Sequence, residues 1–423
     1  MRNLNDYRTA IYFQLISYQD PNDYSIYIKI ARSWDDLAKT IHKRYRSLMK
    51  VDKAVKKTVQ RIAPDGLDPQ ERMARLYQFV RDSIDLEDYK GLFARDLQKA
   101  SKVLKNRRGS AIEKNLTLIA LLRAADISAN PLLIRTRKNG QLIRNFPSLT
   151  QFNHVMTFVE IDGENHFLDP KNKFCPIRLL PVSDLVESGL LVTGKTGRII
   201  PIKHPDTQNS RTLMTKVQMH ADGSIRCTVD LVYSNYLAYQ KRLDLYEQTF
   251  EEDIKALLTK RFQDVELDSF SVKYYENAEE RLKLYLEFSV PEYGYMVGDM
   301  LTFPLPAMST LLENPFTRET RLFPVEFGYP FRVQETLIIQ FPESYQLEEA
   351  PAAGAQMKEG KYMYRMMVKA DSTSLMVLRG FEISKSTFSP KEYKDIRNFY
   401  AYVVQHDLNE IVLKARKPLF SDQ

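Results

Sequence analysis

The sequence predicts an α+β protein in which a helical region with a few short strands precedes a long β-rich region. Apolar residues recur at helical spacing over residues 33–63 and 68–84. From residue 130 to about residue 201 the pattern changes to short strands separated by turn residues. Beyond residue 211, the alternation typical of half-buried strands continues to residue 386. With 423 residues, the chain is long enough for two or three cores of ordinary domain size.

The first elements are interpreted as the end of one domain and a helical linker. Residues 8–20 have the composition of a strand with little sequence before it, so the chain is expected to begin near the end of a β-rich domain. Ser33 is the predicted cap of the first helical stretch, and Asp68-Pro69 is predicted to open the second. Residues 1–65 are therefore assigned to the remnant of an N-terminal β domain and its helical linker.

Residues 206–423 are predicted to form an antiparallel, sandwich-like β domain with one inserted helix and one terminal helix. The inserted helix covers roughly residues 235–262, where the alternation is interrupted. The terminal helix begins after Ser389, with Pro390 at its first position and Glu392 completing a capping box. The sequence leaves open whether this region is one domain or two.

Composition and motifs disfavour several classes of protein. No apolar run approaches the roughly 18 residues that cross a bilayer, and the first residues lack a signal-peptide pattern. The expectation is therefore a cytoplasmic protein, or one whose export signal lies outside this sequence. Cys175 and Cys227 cannot build a disulfide framework or a metal site, and the histidines show no HExxH spacing, so no metal and no cofactor are expected. The absence of GxxxxGK[ST] and GxGxxG loops disfavours nucleotide hydrolases and Rossmann enzymes.

Positive charge is concentrated in one segment. The formal net charge is +7, and residues 97–145 hold eleven Lys or Arg against only Glu113 and Asp126. This basic segment consists of Lys99, Lys102, Lys105, Arg107, Arg108, Lys114, Arg123, Arg135, Arg137, Lys138 and Arg144. This segment either binds an anionic polymer or an anionic surface as a basic rim, or it is simply a face exposed to solvent. The lack of interleaved aromatic residues favours the solvated face.

A central helix is predicted immediately after Gly109-Ser110. The run NLTLIALLRAA is apolar on all sides, which indicates burial on every face. The N-terminus of such a helix, with its free N–H groups and positive dipole end, would stabilise a thiolate and hold an oxyanion. The residue in the first turn is Ala111, and Ser110 is the expected cap.

A predicted hairpin supplies the second group of candidate residues. Asn139-Gly140 and Asp162-Gly163 are both strong hairpin signals. Folding about the second turn places Asp169 diagonal to His154 on one face, within reach of the imidazole. A carboxylate there would fix the histidine tautomer, as in a catalytic triad, although a surface pair would have the same pattern. His166 falls on the opposite face and is expected to be structural.

The order of these features resembles the transglutaminase-like superfamily, whose fold is papain-like. The matching residues are Gly109-Ser110-Ala111-Ile112-Glu113-Lys114, then LLRAADI, then Asn153-His154 and Leu168-Asp169-Pro170. The resemblance covers about residues 70–202, so residues 66–205 are assigned to the transglutaminase-like core. The flanking regions resemble the β-rich domains that accompany this module in exported proteins of Bacteroidetes-type bacteria. That resemblance implies a periplasmic or exported location.

The resemblance implies a Cys-His-Asp triad that acts on amides, but Ala111 stands where the family has its cysteine. An alanine methyl can neither attack a carbonyl nor release a proton, and loss of a triad nucleophile costs roughly a millionfold in rate. Ser110, Ile112 and Glu113 also depart from the family motif, which favours natural drift over a single engineered substitution. Ser110 is a weak candidate as a replacement nucleophile, and Cys175 and Cys227 are not plausible.

Three hypotheses follow from the sequence. The first is a catalytically inactive transglutaminase-like protein that binds or scaffolds a peptide or a cell-envelope partner. Its vestigial triad would be Ala111, His154 and Asp169, and Gly109, Ser110 and Asn153 would line the cleft. The second is an active amide hydrolase or acyl transferase with a relocated nucleophile. The third is a structural spacer whose basic segment, residues 97–145, binds an anionic polymer.

Overall fold

The computed structural model describes residues 3–7, 11, 13, 15, 17–29 and 33–416, and the chain divides into two units, Met1–Asp206 and Thr207–Gln423. The fold class is α+β, as predicted. None of the helices in the described ranges combines the length and apolar character needed to cross a membrane.

The described residues of unit 1 form five α-helices and nine strands. The helices are α1 Trp34–Tyr45, α2 Lys53–Ile62, α3 Pro69–Ser83, α4 Ala100–Asn106 and α5 Ala111–Ala124. The strands are β1 Ser17–Asp20, β2 Asp23–Lys29, β3 Asp85–Leu86, β4 Arg108–Gly109, β5 Ser128–Ile134, β6 His154–Ile161, β7 Glu164–Leu168, β8 Ser188–Thr193 and β9 Thr196–Pro201.

Helix α5 packs in the middle of unit 1, against an antiparallel sheet. The sheet order is β7-β6-β5-β8-β9, and α5 contacts β5, β6, α3 and α4. Residues 112–122 of α5 are all buried, as the apolar run predicts. This packing places the N-terminus of α5 beside the start of β6, where the candidate residues lie.

The N-terminal region of unit 1 differs from the prediction in two ways. Residues 33–63 form two helices instead of one stretch, because the Asp52 side chain accepts hydrogen bonds from the N–H groups of Ala54 and Val55 and starts α2. Helices α1 and α2 belong to the same core as α5, so the boundary predicted at residue 65 falls inside unit 1. The predicted strand over residues 8–20 lies partly outside the described residues, and its last four residues form β1.

Of the two hairpin turns predicted at Asn-Gly and Asp-Gly, the structure contains one. Strands β6 and β7 turn at Asp162 and Gly163 with φ values of 51° and 79°, and Thr157 pairs with Leu168, in the predicted register. The hairpin predicted at Asn139-Gly140 is wrong. Residues 137–139 form a short 3₁₀ helix, and Gly140 with φ of 93° ends it. The same positive φ that suits a hairpin turn also terminates a helical turn.

Unit 2 contains fourteen strands and three helices in its described residues. The helices are α6 Asn235–Glu247, α7 Phe250–Thr259 and α8 Tyr393–Asp407. The strands are β10 Ser210–Met219, β11 Ile225–Tyr233, β12 Glu266–Lys273, β13 Leu282–Val290, β14 Tyr295–Val297, β15 Met300–Pro304, β16 Val325–Glu326, β17 Phe331–Gln340, β18 Tyr345–Glu349, β19 Gly354–Lys358, β20 Tyr362–Ala370, β21 Ser374–Ile383, β22 Thr387–Phe388 and β23 Glu410–Ala415.

The strands of unit 2 form two main sheets that share one hydrophobic core. Their orders are β12-β13-β11-β10-β17-β21-β20-β19 and β14-β15-β23-β18. Strands β10 and β17 pair in parallel, so the prediction of a wholly antiparallel region is wrong at that position. The predicted single inserted helix is two helices, because a capping box formed by Thr249 and Glu252 starts α7. The capping box of Ser389 and Glu392 precedes α8, as predicted.

Candidate functional site

The first candidate residue lies at the start of the central helix. Ser110 caps α5: its Oγ accepts from the N–H of Glu113 at 3.4 Å, and Glu113 Oε2 accepts from the N–H of Ser110 at 2.7 Å. Ala111 is therefore the first helical residue, at the positive end of the dipole. It is partly exposed, whereas the eleven residues after it are buried. The N-terminal end of the helix is thus open to solvent, whereas its middle is enclosed.

His154 and Asp169 form the predicted pair. His154 is the first residue of β6, and Asp169 directly follows β7. The distance from His154 Nε2 to Asp169 Oδ2 is 2.7 Å, and the two residues are 5% and 0% exposed. The carboxylate fixes the imidazole through Nε2, so Nδ1 is the ring nitrogen left to exchange a proton with a neighbouring group.

Asn115 connects this pair to the helix, and sequence reasoning missed it. Its Nδ2 donates to Asp169 Oδ1 at 2.7 Å and to the carbonyl oxygen of Ala111 at 3.1 Å. Thr157 Oγ1 donates to Asn115 Oδ1 at 3.0 Å. The Asn115 amide therefore links Asp169, the partner of His154, to the carbonyl of Ala111 in the first turn of α5. The available signal was a polar side chain four residues after Ala111 and on the same side of the helix, at the start of its apolar run.

Two further charged residues surround the pair, and sequence reasoning missed these as well. Lys171 Nζ lies 3.0 Å from Asp169 Oδ2 and 2.7 Å from Asp184 Oδ2. Asp184 Oδ2 lies 4.0 Å from His154 Nε2. Both carboxylates are fully buried, so they are stabilised by this ammonium and by hydrogen bonds instead of by water.

The electrostatic environment shifts the pKa values of the Asp169 and Asp184 carboxyl groups in opposite directions. Burial raises the pKa of Asp184 to about 6, against the opposing effect of the Lys171 ammonium. Burial also acts to raise the pKa of Asp169, but the charges of Lys171 and His154 outweigh it and hold that pKa well below the usual carboxyl range. Asp169 is therefore the ionised partner of His154 at neutral pH.

Within the described part of the chain, three residues of this network also form a group that could hold a metal ion. Ligand atoms of His154, Asp169 and Asp184 lie within 4.8 Å of one another. The Lys171 ammonium already lies within 3.0 Å of both carboxylates, so a divalent cation would have to displace it. The donor set therefore fits a buried ion-pair network better than a metal centre.

Two residues predicted to line the cleft have structural contacts. Both polar atoms of the Asn153 side chain bind Thr136, whose N–H donates to Oδ1 and whose Oγ1 accepts from Nδ2, each at 2.9 Å. Gly109 is buried, and a Cβ added there would lie 3.2 Å from Val103 Cγ1 and 3.3 Å from Glu113 Cβ. Asn153 thus joins the ends of β5 and β6, and Gly109 permits the close approach of α4 to α5.

His166 lies outside this site. It lines a separate cavity of about 450 Å³ together with residues of α3. Its Nε2 is buried and has no hydrogen-bond partner among the described residues.

The remaining candidate nucleophiles are buried. Ser110 is 1% exposed, and its hydroxyl serves the helix cap. Cys175 and Cys227 are each 0% exposed, and burial raises the pKa of both thiols far above the ordinary value. Neither thiol therefore has the exposed, low-pKa character of a reactive cysteine.

The basic segment divides into buried and exposed members. Lys114 is 1% exposed, its Nζ donates to the carbonyl of Ile84 at 2.7 Å, and burial lowers its pKa to about 8. Arg123 Nε donates to the carbonyl of Ala129 at 2.8 Å. These two residues stabilise the fold and do not belong to a rim. The exposed members around α4 are Lys99, Lys102, Lys105, Arg107 and Arg108.

Comparisons with known proteins agree with this geometry. Residues 56–169 match the family model of the transglutaminase-like superfamily, and residues 299–413 match a domain family of unknown function, DUF3858. A crystal structure of a candidate protease from Parabacteroides distasonis has a TM-score of 0.55 and 14% sequence identity. The alignment covers 91% of this chain and 59% of that chain, and at this identity it concerns the fold alone. No curated protein matches the chain.

The helix, the hairpin pair and the family match together define a transglutaminase-like domain. Residues 56–169 of this chain are such a domain, and it lies in unit 1.

Proposed function

We propose that this protein is a catalytically inactive member of the transglutaminase-like class that binds or scaffolds a partner. The observation that carries the proposal is the combination of a buried His154–Asp169 pair at 2.7 Å with an alanine, Ala111, at the start of α5. The His154–Asp169 pair could act as a base, and the N-terminus of α5 supplies the positive end of the helix dipole. The methyl group of Ala111, however, supplies no nucleophile.

The burial of the other hydroxyl and thiol groups supports this proposal over a relocated nucleophile. Ser110 already accepts the N–H of Glu113 in the cap, and the Cys175 thiol contacts the carbonyl of Leu179 at 3.6 Å. Either group would have to leave its buried position before it reached a substrate. A binding role needs no such rearrangement.

The ligand proposed for the residual cleft is a peptide or a cell-envelope protein. Amide groups are the substrates that the family resemblance implies, and the similar structure is described as a candidate protease. By the same resemblance, the chain is proposed to come from a Bacteroidetes-type bacterium and to act in the periplasm or outside the cell.

The purified protein is expected to hydrolyse no peptide amide and to incorporate no primary amine into a glutamine-containing peptide. Loss of the nucleophile costs roughly a millionfold in rate where triad members act as a unit. Mass spectrometry of the peptide after long incubation measures both reactions. The His154→Ala variant is the matched control, and turnover that this variant abolishes would refute the proposal.

The exposed cations near α4 favour a second candidate function, binding of an anionic polymer. No acidic residue interrupts the sequence from Lys99 to Arg108, and all five cations of this stretch are exposed. Such a surface binds polyanions through release of their counterions.

Heparin, as a model polyanion, is expected to bind the protein, with an affinity that falls as salt rises. The double variant Lys102→Glu/Lys105→Glu should lose at least about tenfold in affinity and show a smaller salt slope. Lys56→Glu/Lys57→Glu on α2 is the matched control, because it reverses two exposed charges outside the segment. Equal losses in the two variants, measured by isothermal titration calorimetry, would assign the binding to net charge alone.

A further inference from the structure

The outward face of the large sheet in unit 2 carries apolar side chains where polar ones are usual. One row of cross-strand neighbours crosses four strands of this sheet. It consists of Met214 on β10, Thr336 on β17, Leu378 on β21 and Met367 on β20. In the next row, Ile338 on β17 pairs with Met376 on β21. We call these six residues the strand face.

The strand face is exposed, whereas the other side of the same sheet is covered. Met214, Met367 and Met376 are each 37% exposed, and Leu378 is 36% exposed. The alternate residues on the same strands, such as Leu337, belong to the core shared with α8 and the second sheet. A sheet with one solvated face normally shows polar residues on that face. A contiguous apolar patch on a soluble domain therefore indicates an interaction site.

A small cavity adjoins the strand face. It has a volume of about 190 Å³, and its lining includes Ile338, Thr228 and Gln340. Met376 pairs with Ile338, which lines this cavity, and methionine side chains adapt to the shape of a partner because the thioether chain is unbranched and flexible. The surface is thus suited to receive one or two aliphatic side chains from outside.

The charges around the strand face are mostly positive. Lys216, Lys369 and Arg365 lie on the same side of the sheet, are exposed and have no ion pair within the described part of the chain. Asp230, opposite Met214, is an unpaired carboxylate at the border. A second copy of this chain would present the same excess of cations, and like charges would oppose that contact.

We propose that the strand face docks an acidic amphipathic helix of a partner protein, with aliphatic side chains on one side and carboxylates at the borders of that side. Its aliphatic groups would cover the methionines and Leu378, and its carboxylates would pair with Lys216, Lys369 and Arg365. This interaction lies within unit 2, so it is independent of the function proposed for the transglutaminase-like domain.

The test uses two fluorescent peptides of about 18 residues, each an amphipathic helix with leucines on one side. One peptide carries glutamates on its polar side and the other carries lysines. The acidic peptide is expected to bind at least about tenfold more tightly, and salt should weaken its binding. Equal affinity for the two peptides, or no binding of the acidic one, would overturn the proposal.

Two leucine variants locate the interaction. Leu378→Glu places a carboxylate at the centre of the strand face and is expected to lower the affinity for the acidic peptide at least about tenfold. Leu408→Glu is the matched control, because Leu408 is 50% exposed and follows α8 on the covered side of the sheet. Unchanged binding of Leu378→Glu would overturn the proposal. Sedimentation velocity that shows a dimer broken by Leu378→Glu would assign the face to a second copy and would overturn it too.

Discussion

The variant Ala111→Cys is expected to react with iodoacetamide at pH 6 at least roughly tenfold faster than an exposed control cysteine. The new thiol would lie at the first position of α5, where the helix dipole stabilises a thiolate. His154, oriented through Nε2 by Asp169, would accept its proton at Nδ1. Intact-mass spectrometry over time gives the labelling rate. Because the lowered pKa keeps the thiolate present at pH 6, the advantage should shrink as the pH rises towards the ordinary thiol pKa.

Two further variants separate the contributions to this reactivity. Ala111→Cys combined with His154→Ala retains the helix terminus and should lose most of the rate advantage. Ala353→Cys provides the exposed reference, since Ala353 lies in an exposed loop of unit 2. The native Cys175 and Cys227 are buried and should remain unlabelled in the folded protein. A rate for Ala111→Cys equal to that of the reference would show that Ala111 does not occupy a nucleophile position.

The parts of the site that sequence reasoning recovers are those fixed by local rules. A two-residue turn at Asp162-Gly163 determines the register of its hairpin, and that register alone places Asp169 beside His154. The helix start at Ala111 follows equally from Ser110, the predicted cap, which the structure places in a capping box with Glu113. Both rules act through a tight turn or a helix cap, where local geometry leaves few alternatives.

The parts that sequence reasoning missed depend on contacts that neither a tight turn nor a helix cap determines. Lys171 and Asp184 meet at 2.7 Å only because the loop after β7 folds back over the hairpin. The parallel pairing of β10 with β17 joins residues 122 positions apart, as in the pair Met214–Thr336. No spacing rule predicts a partner at such a separation, because the hydrophobic pattern of a strand does not specify its neighbour.

The variant Asp407→Ala is expected to lower the free energy of unfolding of unit 2 by about 3–5 kcal/mol. Asp407, at the end of α8, accepts two hydrogen bonds from Arg379 on β21, at 2.7 and 2.6 Å, and one from the N–H of Leu311 at 2.8 Å. The side chains of the ion pair are 2% and 0% exposed. Removal of the carboxylate leaves the buried Arg379 guanidinium without its charged partner, with Ser309 Oγ as a remaining acceptor, and takes the acceptor from the Leu311 N–H and the Tyr364 hydroxyl.

Urea unfolding followed by far-ultraviolet circular dichroism measures this loss, and emission from Trp34, the only tryptophan, reports separately on unit 1. The exposed pair Arg226–Glu287 supplies the matched control: Glu287→Gln should cost less than about 1 kcal/mol, because Arg226 is 58% exposed and water replaces its partner. The double variant Arg379→Met/Asp407→Leu should recover part of the stability, since it removes both charges from the core together. If Asp407→Ala lost as little stability as Glu287→Gln, water would have to reach the Arg379–Asp407 pair. That result would contradict the burial of Arg379 in the core.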